Sequence, residues 1–208
     1  MRRLIWLTLA AVLVLSAAQT ATQAQEDTGR ETITIPISLY VVVDDVDNPD
    51  PALSSRRTPD ELREILDGVN DIWRQADIRF EAQYIGMLAL PESVLRDING
   101  GSFRAFFQQA GNTFEVPDLG LINGFYAREI GGPNGIMPFG APLFFVMDEP
   151  TVFDRRVSSH EIGHILGLHH TQFDSGRLLY SGTNGMALTE EEIIVARYVA
   201  QGMLDGLR

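Results

Sequence analysis

Apolar and polar positions along the chain fall into blocks of changing period. Ile33 to Val43 is rich in β-branched residues, which predicts a buried strand. Asp44 to Ser55, with several acids and two prolines, predicts a loop. The period then lengthens: Leu62, Ile65, Leu66, Val69, Ile72 and Trp73 recur at spacings of three and four, so Thr58 to Gln75 is expected to be an amphipathic helix. Thr58 is placed to cap it, with Pro59 at the first helical position and Glu61 completing a capping box. Ile78 to Tyr84 alternates apolar and polar residues, the signature of a half-buried strand.

From Leu90 to Pro117 the spacing is again helical, around Val94, Leu95 and Ile98 and then Phe103, Phe106 and Phe107. Gly100 and Gly101 divide it into one or two short helices. Leu119 to Ala127 and Leu143 to Met147 are further strand candidates. Gly131 to Pro142, dense in glycine and proline, predicts a loop or an irregular edge strand. Thr151, with Asp154 three residues later, is expected to open a helix that runs into a histidine-rich segment. Thr189 and Glu192 form a second capping box ahead of a closing helix through Leu204. The order of elements is that of an α+β domain spanning residues 33–208, which 208 residues can accommodate with a substantial core.

The N-terminus does not belong to that domain. Arg2 and Arg3 precede an apolar run from Leu4 to Ala18, too short to span a bilayer as a helix, followed by small and polar residues. Residues 1–24 therefore read as a secretory signal peptide, cleaved between Ala24 and Gln25 or between Ala18 and Gln19, and residues 25–32 as a flexible segment. A soluble secreted or periplasmic protein without a stable membrane anchor is expected. Loss of Arg2 and Arg3 takes the formal charge from -12 to -14. Such acidity serves solubility first, and it argues against nucleic acid and anionic membrane surfaces as partners, since both need a basic face. The absence of cysteine rules out disulfides as a source of stability.

All four histidines of the chain lie between positions 160 and 170 in HEIGHILGLHH. His160 and His164 are one helical turn apart and project from the same face, where they can bind one ion. Gly167 lets the chain leave the helix, and the return presents His170 as a third ligand. Three neutral imidazoles leave a zinc ion with an open position, the ligand count of a catalytic site. Glu161 lies beside the metal without binding it and can take a proton from a zinc-activated water, then return it to a leaving amine. His169 fits neither spacing and is assigned a solvent-facing or supporting place. The competing interpretation, satisfied histidines on an amphipathic helix with Ile162, Ile165, Leu166 and Leu168 as its core face, leaves this spacing to chance.

His160, Glu161, His164, Gly167 and His170 match the extended HExxHxxGxxH signature, and the chain in this resembles the metzincin zinc metallopeptidases. The predicted strands and helix ahead of the motif are similar to the metzincin N-terminal subdomain. Within the clan the chain looks most like compact bacterial members similar to the pappalysin and archaemetzincin-like groups. The resemblance implies a zincin-like fold with an N-terminal subdomain over residues 33–167 and a C-terminal subdomain over 168–208. It also implies zinc as cofactor and a protein or peptide as substrate. It places Asn134 to Gly140 as the edge strand lining the cleft, with Gly135 and Ile136 against the substrate, where the residues alone allow a surface loop.

The family places a methionine in a tight turn beneath the metal, where this chain has Leu178, Leu179, Tyr180, Ser181 and Gly182. Tyr180 stands in that place, or Leu178 does and Tyr180 falls where some metzincins carry a tyrosine that reaches the site, or a longer turn brings up Met186. Tyr180 as plain core is the simpler assignment. No cysteine is present to act as a latency switch. The Asp44 to Asp50 loop matches no standard calcium loop and reads as a solvated turn. Two other functions fit the same residues: hydrolysis of a non-protein amide or cell-wall peptide, and a zinc-holding binding module with weak turnover. Oligomeric state is not encoded in any of these patterns.

Overall fold

β1 (Ile33–Val43) sits inside a five-stranded sheet, paired along its length with strand Ile78–Ala89 and over Ile37–Val41 with a second neighbour, and it is buried without a break from Ile37 to Val43, where both faces of the sheet are covered. The computed structural model describes residues 29–116 and 120–206. The predicted leader and Leu119 lie outside the described residues, and residues 29–32 carry neither helix nor strand. In chain order the remaining elements are α1 (Pro59–Trp73), β2 (Ile78–Ala89), α2 (Glu92–Asn99), α3 (Arg104–Gln109), β3 (Ile122–Ala127), β4 (Gly135–Ile136), β5 (Leu143–Met147), α4 (Asp154–Ile165) and α5 (Glu190–Asp205).

The strand order is β2-β1-β3-β5-β4, parallel except for β4, which pairs antiparallel with β5 at one edge. Strand periodicity divides β1 between two cores. Ile33, Ile35, Ile37, Leu39, Val41 and Val43 face a layer holding α1, α4 and α5, whereas Tyr40 and Val42 face α2 and α3. On the second face Tyr40, Phe125 and Phe145 form a row across β1, β3 and β5, with successive ring centroids 5.0 Å apart. The first face carries the histidine-bearing helix. Among the described residues no helix is long and apolar enough to cross a membrane.

Both capping boxes form as expected, at Thr58 with Glu61 and at Thr189 with Glu192. The stretch from Gly131 to Pro142 agrees with the expected irregular edge strand, holding a two-residue strand and a short 3-10 turn at Pro138–Gly140. Two local expectations are corrected. β2 continues to Ala89, five residues past the expected end, because after a register shift at Ile37 and Ser38 the rest of β1 pairs with Tyr84 to Ala89. Thr151 does not cap α4, which starts after Phe153 with no side-chain cap. Instead Thr151 donates its N–H to Asn134 Oδ1 (2.9 Å) and accepts from Asn134 Nδ2 (2.9 Å), tying the approach to α4 to the edge strand.

Two further contacts fix α4 on the sheet. The buried Tyr126 hydroxyl meets Ser158 Oγ at 2.9 Å, and Arg57 bridges the Asp148 carbonyl and the Asp154 carboxylate. Burial pushes the Tyr126 hydroxyl pKa up to about 12, so this contact stays neutral across the ordinary pH range.

Candidate metal centre

Helix α4 positions His160 and His164 one turn apart, and its C-terminal turn is built to bring His170 back to them. Gly167 has φ 83°, in the left-handed region that glycine enters without steric cost. Its N–H bonds to the His164 carbonyl and that of Leu168 to the Gly163 carbonyl, the paired bonds of a Schellman motif. The three Nε2 atoms consequently converge at 3.0, 3.1 and 3.1 Å from one another. His160 is buried, His164 half-buried and His170 exposed, whereas His169 faces solvent and lies outside this triangle.

The donor set fits a metal ion. His160 Nδ1 lies 2.7 Å from the Leu178 carbonyl, and His164 Nδ1 lies 2.9 Å from the Leu168 carbonyl. A carbonyl only accepts, so each Nδ1 carries its hydrogen and each Nε2 keeps a lone pair. The Nε2 lone pairs of His160 and His164, 3.1 Å apart, repel unless a cation lies between them. A triangle of that edge has a point about 2 Å from each corner, the bond length of zinc to imidazole nitrogen. Burial pushes the His160 pKa down to about 3 and lowers that of His164, so both stand neutral and ready to ligate near neutrality.

Glu161 follows the first histidine and is also buried. Its carboxyl faces Gly135 of β4, where a Cβ would stand 2.8 Å from Glu161 Oε1 and 2.7 Å from a Val157 methyl. The edge strand approaches this closely only because position 135 has no side chain. Together Asn134 to Met137, Arg156, Val157, the three histidines, Glu161, Ser181 and Gly182 line a cleft of about 440 Å³. The expectation that Gly135 and Ile136 belong to an edge strand lining the cleft agrees with this arrangement.

Burial raises the Glu161 pKa to about 8, opposed in part by Arg156. In the metal-free protein this carboxyl holds a proton at pH 7. Its folded pKa lies above the unfolded value of 4.5, so the stability tied to its proton is lost as pH rises from 4.5 through 8. His160 and His164 act oppositely, adding stability as pH rises towards 6.5 and nothing beyond it. Metal-free protein should therefore lose stability between pH 6.5 and 8, at up to about 1.4 kcal/mol per pH unit. Denaturant titrations across that range check it: the slope should disappear in Glu161→Gln, and persistence of the slope there would assign it to another group.

The segment after His170 answers which residue lies where a methionine was expected. Leu178 and Leu179 are fully buried, and Leu179 packs on α4 at Gly163. Tyr180 is only half-buried, not the core residue expected, and it does not line the cleft. Met186 lies beside α1, its carbonyl accepting from Gln75 Nε2 at 2.9 Å, and it too is absent from the cleft lining. The residue missed in the sequence is Arg156. Buried one turn before His160, it donates to the carbonyls of Leu178, Tyr180 and Gly185. Its signal was the spacing of Arg156, His160 and His164, a cation on the same helical stripe as the ligands.

No family model and no curated protein matches the chain by sequence. Its fold is similar to that of archaemetzincin from Methanopyrus kandleri, with TM-score 0.52 and 15% identity over 81% of this chain and 96% of that one. A chaperone–substrate complex also matches, with TM-score 0.49 and 16% identity, over 83% of this chain and 35% of that one, and carries no inference. The fold is zincin-like, with three histidines placed to hold a metal.

Proposed function

We propose that this protein is a zinc-dependent metallopeptidase of metzincin type, acting on extended protein or peptide substrates outside the cytoplasm. The observation that carries the reading is the convergence of His160, His164 and His170 beside the buried Glu161 carboxyl, in a cleft walled by a sheet edge. Zinc, when bound, supplies a Lewis acid that makes water nucleophilic near neutrality and polarises a scissile carbonyl.

The chain supplies the rest. His160, His164 and His170 hold the ion. Glu161 accepts a proton from the attacking water and delivers it to the departing amine. Its high metal-free pKa comes from burial, and a dication close by draws it back towards the ionised form that a base requires. β4 uses one edge to pair with β5, so an extended peptide can add along the other, its backbone held in register past Glu161. A free glycine edge suits a main-chain partner, and this favours a peptide over a compact non-protein amide. The leader-like pattern of residues 1–24 supports export, and the net charge of -12 supports a partner other than nucleic acid.

Purified protein loaded with zinc is expected to cleave a mixed peptide library, and a chelator should stop cleavage until zinc is restored. Zinc bound at one equivalent without cleavage would favour a zinc-holding module. No zinc bound would sink the reading.

A further inference from the structure

The segment beneath the histidines lacks the expected methionine, and its main chain is held in another way. Arg156, on α4, reaches into it from the helix that carries the first two ligands. Its guanidinium donates to the Leu178 carbonyl at 2.7 Å, to the Tyr180 carbonyl, and through Nε to the Gly185 carbonyl at 3.4 Å. The Leu178 carbonyl is shared, since it also accepts from His160 Nδ1 at 2.7 Å. One oxygen therefore receives both Arg156 and the ring that ligates through its opposite nitrogen.

We propose that Arg156 is a positioning residue for the metal centre: by pinning the Leu178 carbonyl it fixes the plane of the His160 imidazole and so the aim of Nε2. The inference rests on the zinc-site reading above. Its physical basis is geometric. An imidazole bonded through Nδ1 turns with its acceptor, and a loop carbonyl is a fixed acceptor only if the loop is held. Arg156 does so at three carbonyls, through a planar fork of donors that a single ammonium cannot reproduce. The arrangement costs some electrostatic repulsion, because a buried cation one turn from a dication opposes its binding. Glu161, whose carboxyl interacts with Arg156, offsets part of it.

These two effects of Arg156 have opposite signs, which makes the role testable. Arg156→Lys keeps the charge and loses the fork; Arg156→Gln loses both. If geometry governs, both variants bind zinc about 10- to 100-fold more weakly in competition with a chromophoric chelator, the range for residues that orient a metal-ligating histidine. Their cobalt-substituted forms should also show shifted and altered d–d bands, a change that general loss of stability does not produce. If charge governs, Arg156→Lys matches the unsubstituted protein and Arg156→Gln binds zinc more tightly, which overturns the proposal. Unchanged affinity and cobalt spectra in both variants, with a lowered metal-free melting temperature, overturns it as well. Should Arg156→Gln fail to fold, Arg156→Lys decides alone. Failure of the unsubstituted protein to bind metal would defeat the zinc-site reading itself.

Discussion

Glu161→Gln is expected to bind zinc at one equivalent and to hydrolyse peptides about 10²- to 10⁴-fold more slowly than the unsubstituted protein, the range for removing a positioned general base. The substitution keeps the shape of the side chain against Gly135 and Val157, so the cleft and the ligand triangle should persist. It removes only the capacity to take a proton. Rates measured on one cleaved peptide, with metal content determined on the same samples, make the comparison. Equal rates would take the base away from Glu161 and require another group to serve. Loss of zinc together with activity would instead give this carboxyl a part in building the site.

His160→Ala should remove the stabilisation that zinc confers on the fold. A ligand that binds only the folded state at about 1,000 times its Kd stabilises it by about 4 kcal/mol. In the unsubstituted protein, denaturant midpoints with and without zinc are expected to differ accordingly. In His160→Ala two imidazoles remain, one of them exposed, and the difference should fall close to zero. The metal-free variant should still fold, because the Leu178 carbonyl keeps its bond from Arg156 when the imidazole is gone. A variant that retains the full zinc effect would show that the ion binds elsewhere.

The two expectations separate holding the metal from moving the proton, and they draw on different kinds of structure. The two tasks are proposed for adjacent residues of one helix, yet neither side chain is positioned by the helix alone. His160 depends on a carbonyl from residue 178, and Glu161 faces a glycine from residue 135. The uncapped start of α4 is tied down by Asn134 through Thr151, so the same loop that forms the cleft wall also sets where the helix begins. A substitution in that loop should therefore disturb both the wall and the ligands.

Much of this was legible in the sequence. The order of strands and helices, both capping boxes, the ligand spacing and the turn at Gly167 follow from interactions within a few residues, which periodicity and turn chemistry report directly. The position of Glu161 next to His160 is likewise local. What the sequence did not decide involves partners far apart along the chain. The extension of β2 depends on its register with β1, Thr151 is drawn from capping to a distant asparagine, and Tyr180 proves half-buried where a core place was expected. Arg156 is the clearest case. As sequence it is a charged residue early in a helix. Only the packed fold brings three loop carbonyls around its guanidinium and shares one of them with His160. Local spacing determined which side chains could hold the metal; tertiary packing decided what holds those side chains, because hydrogen bonds between distant segments leave no period in the sequence.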